Sequence, residues 1–134
     1  MKLELSSLEK ALASLDEALA EFNRTQSQFV KDACIQRFEY TYELAHKLLK
    51  RQLEAMSPNP SEIDQMSFPD MIRTGAERGL LAQSWDQWKY FRDARNATSH
   101  AYNEQKANEV FVRIPAFRDE AAFLLARLQE RNAE

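Results

Sequence analysis

Near the N-terminus, apolar residues recur at alternating steps of three and four: Leu5, Leu8, Leu12, Leu15, Leu19 and Phe22. That spacing keeps returning to one side of a 3.6-residue helix, with acidic and small residues opposite, and it predicts a helix from about Ser7 to Asn23. Thr25-Gln26-Ser27 is a polar break. A long stretch without glycine or proline follows, from about Gln28 to Met56. Its broad apolar face is Phe38, Thr41, Tyr42, Ala45, Leu48, Leu49 and Leu53, and it predicts a second, longer helix. Glu39, Glu43 and Lys47 stand four apart on another face, where they form either a solvated row or a polar wall facing a ligand or partner. Ser57-Pro58-Asn59-Pro60-Ser61 stops this helix and is expected to be a loop.

Ser67-Phe68-Pro69-Asp70 has the composition of a helix start, with Ser67 as cap, and predicts a short helix ending near Gly79. Ser84 with Gln87 three residues on forms a capping box for a helix that carries Trp85, Trp88 and Phe91 into packing. Asn96, Thr98 and Ser99 are poor helix formers, so the end of that helix should fray. Asn103 can cap a last helix, from about Glu104 to Arg131, with Val110, Phe111, Ile114, Phe117, Ala121, Leu124, Leu125 and Leu128 on its apolar side. Pro115 should kink or split it. The expected fold is all-α: an up-and-down antiparallel four-helix bundle with one additional short helix, occupying residues 1–134 as a single domain.

Composition narrows the function classes. Of 134 residues, 44% are hydrophobic and 29% charged, which suits a globular domain with one core. Only 2 Gly and 4 Pro disfavour an all-β fold rich in tight turns. A net charge of −3 leaves no basic footprint over the whole chain, though local basic clusters remain open. The lone Cys34 excludes an internal disulfide and a cysteine-based zinc site, and it reads as a small buried apolar residue. The N-terminus lacks the apolar core of a signal peptide, and no apolar run reaches membrane-spanning length, so a soluble cytoplasmic protein is expected. Metal-ligand runs and phosphate-cradling glycine loops are absent, so no metal or cofactor is expected.

The densest chemistry lies in Arg95-Asn96-Ala97-Thr98-Ser99-His100-Ala101-Tyr102, with Arg92 nearly one helical turn earlier. Arg, His and Tyr are the side chains that bind phosphate and move protons near neutral pH. RNA cleavage needs a base for the 2′-hydroxyl, an acid for the leaving 5′-oxygen and a fixed cation for the transition state. His100 can serve as base or acid, and Arg95 as the cation. In an unbroken helix, however, two residues five apart point roughly 140° away from each other. Either the helix ends between them, or both flank a groove shared with a second copy, which would also supply the second histidine. Capping or salt-bridging is the plainer role for an Arg and a His near a helix end, and Tyr102 taken alone reads as a half-buried packing residue.

The Arg95…His100-Ala-Tyr102 spacing matches the R-x4-H-x-Y signature of prokaryotic HEPN proteins. The chain resembles in particular the branch of nucleotidyltransferase substrate-binding proteins, or HepT-type toxins of MNT–HEPN modules. Val30 to Leu44 resembles that family's helix-two block, and Gly79-Leu80-Leu81 and the Trp85/Trp88 region follow in the expected order. The likeness runs from about Leu8 to Leu128. It implies a homodimeric helical bundle in which Arg95 and His100 of two subunits face a common cleft and act as a metal-independent endoribonuclease. Asn96 and Arg92 would support them. It also implies a minimal nucleotidyltransferase as antitoxin partner, which transfers AMP to Tyr102. The alternative within the same resemblance is a non-catalytic subunit that binds a nucleotide or substrate for that partner. The family block usually has Trp where this chain has His46, a packing substitution first and an accessory proton donor second.

Overall fold

The computed structural model describes residues 2–133. Its helices are α1 (Ser6–Thr25), α2 (Gln28–Met56), α3 (Pro60–Asp64), α4 (Phe68–Glu77), α5 (Trp85–Ala97), a 3-10 turn (Thr98–His100), α6 (Glu104–Phe111) and α7 (Ile114–Arg131). Helices α1, α2, α5 and the α6–α7 pair make the expected up-and-down bundle. Their directions follow from contacts that run in opposite senses along each pair. Asp16 of α1 pairs with Arg118 of α7, while Glu9 meets Gln129. Arg95 of α5 pairs with Glu43 of α2, while Thr98 reaches Glu39. Phe91 of α5 packs edge-on against Phe117 of α7.

Local signals set most of the boundaries. Gln26 takes the left-handed conformation (φ 56°) and closes α1, and the two-residue link to Gln28 forces α2 to run back along α1. The side chains of Ser27, Ser67 and Asn103 accept backbone N–H bonds at the starts of α2, α4 and α6, which satisfies donors that a helix N-terminus leaves open. Gly79, at φ +78°, sits in the left-handed region, and Leu80 N–H bonds back to the Gly75 carbonyl at 2.9 Å, a Schellman closure that turns Leu80 and Leu81 inward. Pro115 lies in the first turn of α7, and the expected single last helix is split at Val112-Arg113 into α6 and α7.

Two local expectations are corrected. The Ser57–Ser61 loop is shorter than expected, because α3 starts at Pro60 and tucks Ile63 into the core. Ser84 occupies the N-cap position of α5, but its side chain makes no capping bond. The start of α5 is held instead by a residue far along the chain. Glu120 of α7 is only 2% exposed and accepts from Ala82 N (3.0 Å), Gln83 N (2.9 Å) and Trp88 Nε1 (2.8 Å).

Around that carboxylate the core is aromatic. Phe38, Trp88, Phe91 and Phe117 are fully buried. Phe117 stands edge-on to Phe38 (5.1 Å, 85°), Phe91 (5.6 Å, 81°) and Trp88 (6.1 Å, 86°), the arrangement that ring quadrupoles favour. The rings of α2, α5 and α7 are thereby locked together, which fixes the outward face of α5 against that of α2. Cys34 is fully buried, as its apolar neighbours imply, and burial raises its thiol pKa. No helix among the described residues is long and apolar enough to cross a membrane.

Candidate functional site

The site forms where α5 runs out. Ala97 is the last α-helical residue, and Thr98–His100 tightens into a single 3-10 turn. Ala101 N–H bonds to the Thr98 carbonyl (3.2 Å) and Asn103 N–H to the His100 carbonyl (3.0 Å), so the chain turns compactly into α6. The break lies between Arg95 and His100, one of the two ways open to them. Frayed ends and 3-10 geometry are what Asn96, Thr98 and Ser99 favour, because their side chains compete for local backbone groups.

Arg95 is held from the side by α2. Its Nε lies 2.5 Å from Glu43 Oε1, and a terminal nitrogen lies 3.8 Å from Glu39 Oε2. Thr98 Oγ1 donates to the same Glu39 oxygen at 2.6 Å, next to the Arg95 carbonyl at 2.8 Å. The charged row of α2 is therefore a wall that aims an arginine. These carboxylates are missing from the candidate site residues read from sequence, although their four-residue spacing was visible. What spacing could not show is which helix lies across from them. The pairs are half-exposed, and such pairs contribute about 0–1 kcal/mol to stability. Their effect is on the orientation of the guanidinium.

His100 is exposed, and its imidazole has no hydrogen bond or ion pair among the described residues. Its ring neighbours that of Tyr102, with centroids 6.5 Å apart at 67°. Tyr102 is 88% exposed, so it is not the half-buried packing residue that its type suggests. Asn96 is exposed, and its carbonyl receives Ser99 Oγ at 3.5 Å. Arg92 points elsewhere: its guanidinium lies over Trp85 (4.9 Å) and Phe68 (5.8 Å). No hydrogen bond joins Arg95 to His100 among the described residues.

His46 is on the same side as Arg92. Its ring stands against Phe68 (4.7 Å) and Tyr42 (6.5 Å), and burial lowers its pKa, with Glu43 opposing and Lys50 reinforcing the shift. A desolvated imidazole in an aromatic corner is a packing group. Tyr42 is likewise buried, which raises its phenol pKa well above the ordinary value.

Beside Tyr102, between α2 and the turn, is a cavity of about 260 Å³ lined by Asp32, Ile35, Gln36, Glu39, Thr98, Ala101 and Tyr102. A recess of about 340 Å³ adjoins it, sharing Asp32, Ala101 and Tyr102 and reaching Gln28 and Glu104. Among the described residues, no three His, Cys, Asp or Glu side chains converge as a metal site.

The family model described as "Nucleotidyltransferase substrate binding protein like" matches residues 3–130 of this chain. The chain belongs to that family. Within the nucleotidyltransferase substrate binding protein-like family, a curated relative from Haemophilus influenzae named "Probable ribonuclease HepT" is 36% identical over 140 residues, covering 98% of this chain and 95% of the relative. A solved family structure from the same organism is presented as the fold of a substrate binding domain of a nucleotidyltransferase. It superposes with a TM-score of 0.87 at 32% identity, over 94% of this chain and 99% of that one. The match to the family model spans Glu39, Glu43, Arg95, His100 and Tyr102, so the site geometry belongs to the matched part of the chain.

Proposed function

We propose that this protein is the HEPN-type, toxin-like endoribonuclease subunit of a two-component module whose other part is a small nucleotidyltransferase. The observation that carries this reading is a pair of side chains at one turn. Arg95 is aimed by Glu39 and Glu43, and the His100 side chain, five residues on, is exposed and without a polar partner among the described residues. The relative named as a probable ribonuclease supports the chemistry, and the family description supports the partner.

One protomer holds one histidine at this turn, and acid–base cleavage needs two proton-transfer groups. A homodimer with both turns on one cleft would supply them. One His100 would take the proton from a ribose 2′-hydroxyl as that oxygen attacks the phosphorus. The other would protonate the departing 5′-oxygen as its P–O bond breaks. Arg95 would offset charge on the equatorial oxygens. Tyr102, exposed beside His100, would be the regulatory position. Its hydroxyl oxygen would attack the α-phosphorus of ATP on the partner enzyme, pyrophosphate would leave, and the phenol proton would pass to solvent or a base on the partner. The AMP so placed would block the cleft.

A second reading, a non-catalytic nucleotide-binding subunit, draws on a different observation. The net charge is −3, and the cavity beside Tyr102 carries two carboxylates, which is not a track for long RNA. Purified protein incubated with mixed-sequence RNA in excess EDTA separates the two. Cleavage by a species that light scattering identifies as a dimer supports the nuclease. A dimer that binds nucleotide and leaves RNA intact supports the second reading.

A further inference from the structure

The cavity beside Tyr102 has a chemistry that the cleavage scheme does not use. Its lining among the described residues holds two carboxylates, one amide and two hydroxyls, and no cation. Asp32 keeps one carboxylate oxygen without a partner among the described residues, since only Oδ1 receives Gln28 Nε2 at 3.3 Å. Glu39 spends Oε2 on Thr98 and Arg95 and leaves Oε1 open. The Gln36 side-chain amide is unpartnered among the described residues. Ile35, 5% exposed, and Ala101 supply apolar surface between these groups. Two carboxylates at such a site repel phosphate. They attract a neutral ring with an exocyclic amino group, and the amide of Gln36 can pair with an amino donor and a ring-nitrogen acceptor together, as amides do with adenine. At about 260 Å³ the cavity falls just below the roughly 300–1,000 Å³ of pockets that enclose drug-sized ligands. It has room for a base, and the adjoining recess past Gln28 and Glu104 adds space beside it.

We infer that this cavity is an adenine subsite, filled by the base of the adenylyl group once that group is attached to Tyr102. The inference rests on Tyr102 being the adenylylated residue. Tyr102 lines the cavity and is 88% exposed, so an attached AMP is tethered beside the cavity, and a weak base site becomes well occupied through effective concentration. The base enters between α2 and the turn and pairs with Asp32 and Gln36. The phosphate stays outside, clear of the carboxylates and on the side of His100. The modification then does more than add bulk. It pins the turn that carries His100 to α2.

The test uses the whole protein labelled with 15N. Free AMP titrated into unmodified protein should shift amide signals of residues 32–39 and 98–102. IMP, which has a carbonyl oxygen in place of the amino group, should need about 10-fold more ligand for the same shift, the discrimination expected of one good base-edge contact. Gln36→Leu and Asp32→Ala should weaken AMP to a similar degree while circular dichroism stays unchanged, because both side chains are exposed. In protein adenylylated by the partner enzyme, the same amides should shift with no free nucleotide, and adenine protons should show contacts to the Ile35 methyl groups. Equal response to AMP and IMP, or shifts scattered over basic surface residues, would mean phosphate-driven contact and overturn the subsite. Intact mass separates the two levels. If Tyr102 carries AMP and residues 32–39 do not respond, the subsite is wrong and the regulatory reading stands. If Tyr102 is never modified, the regulatory reading falls, and the AMP–IMP comparison still decides whether the cavity recognises adenine.

Discussion

Replacing Glu120 should loosen the bundle in a graded way that its three hydrogen bonds define. In Glu120→Ala, Trp88 Nε1–H loses its acceptor inside a fully buried environment that water does not reach. An orphaned buried donor costs about 1–3 kcal/mol. The N–H groups of Ala82 and Gln83 belong to exposed residues, and water can replace the carboxylate there at little cost. Truncating a side chain that is 2% exposed also leaves a void. Release of a buried carboxylate that has no cationic partner among the described residues offsets part of this. The balance is a loss of about 2–4 kcal/mol. Glu120→Gln can keep its carbonyl oxygen where Oε2 now accepts from Gln83 and Trp88, and it turns its amide against only Ala82 N–H, so it should lose about 1 kcal/mol. For a domain of this size 1 kcal/mol corresponds to roughly 4 °C, which puts the alanine variant about 8–16 °C below wild type and the glutamine variant about 4 °C below. Thermal unfolding followed by circular dichroism reads both. An alanine variant that melts within about 2 °C of wild type, or below which the glutamine variant falls, would show that the carboxylate is not what anchors the start of α5.

The other predictions concern the site. Arg95→Ala and His100→Ala should each lower RNA cleavage by about 10²–10⁴-fold, as losses of charge stabilisation and acid–base groups do, with unfolding midpoints close to wild type because neither side chain is buried; cleavage at wild-type rate by either variant would end the nuclease assignment. Tyr102→Phe should cleave RNA at a rate near that of the unmodified protein and show no AMP-sized mass increase after co-expression with the partner, whereas a persisting increase would move the modification to another residue. His46 is held below its ordinary pKa of 6.5 by burial, so the unfolded chain binds the extra proton first as pH falls. Stability should therefore decline from pH 6.5 downward, through the lowered folded value, and His46→Phe should flatten that part of a chemical-denaturation series; an unchanged slope in the variant would assign the decline to other groups.

What the amino-acid sequence settled is what local physics settles. The stripe from Leu8 to Phe22 and the glycine- and proline-free run of α2 defined two helices because amphipathic periodicity and propensity act over a few turns. Ser67 and Asn103 were legible as caps because a cap bonds to backbone groups only two or three residues on. The end of α5 could be read from Asn96, Thr98 and Ser99 for the same reason. The candidate site came partly from residue chemistry and mainly from the R-x4-H-x-Y resemblance, since spacing alone left Arg95 and His100 on different faces. Tertiary structure decided the rest. Ser84 has the right type for a cap, yet Glu120, more than 30 residues on, took over the backbone donors beside it. Glu39 and Glu43 could have faced water, and Arg92 could have joined the site. The edge-on packing of Phe117 against α2 and α5 set their rotation, which turned Arg95 onto the carboxylates and Arg92 onto Trp85 and Phe68. The rotation of one helix about its axis relative to another depends on how side chains distant in sequence interlock, and a one-dimensional pattern carries no record of it.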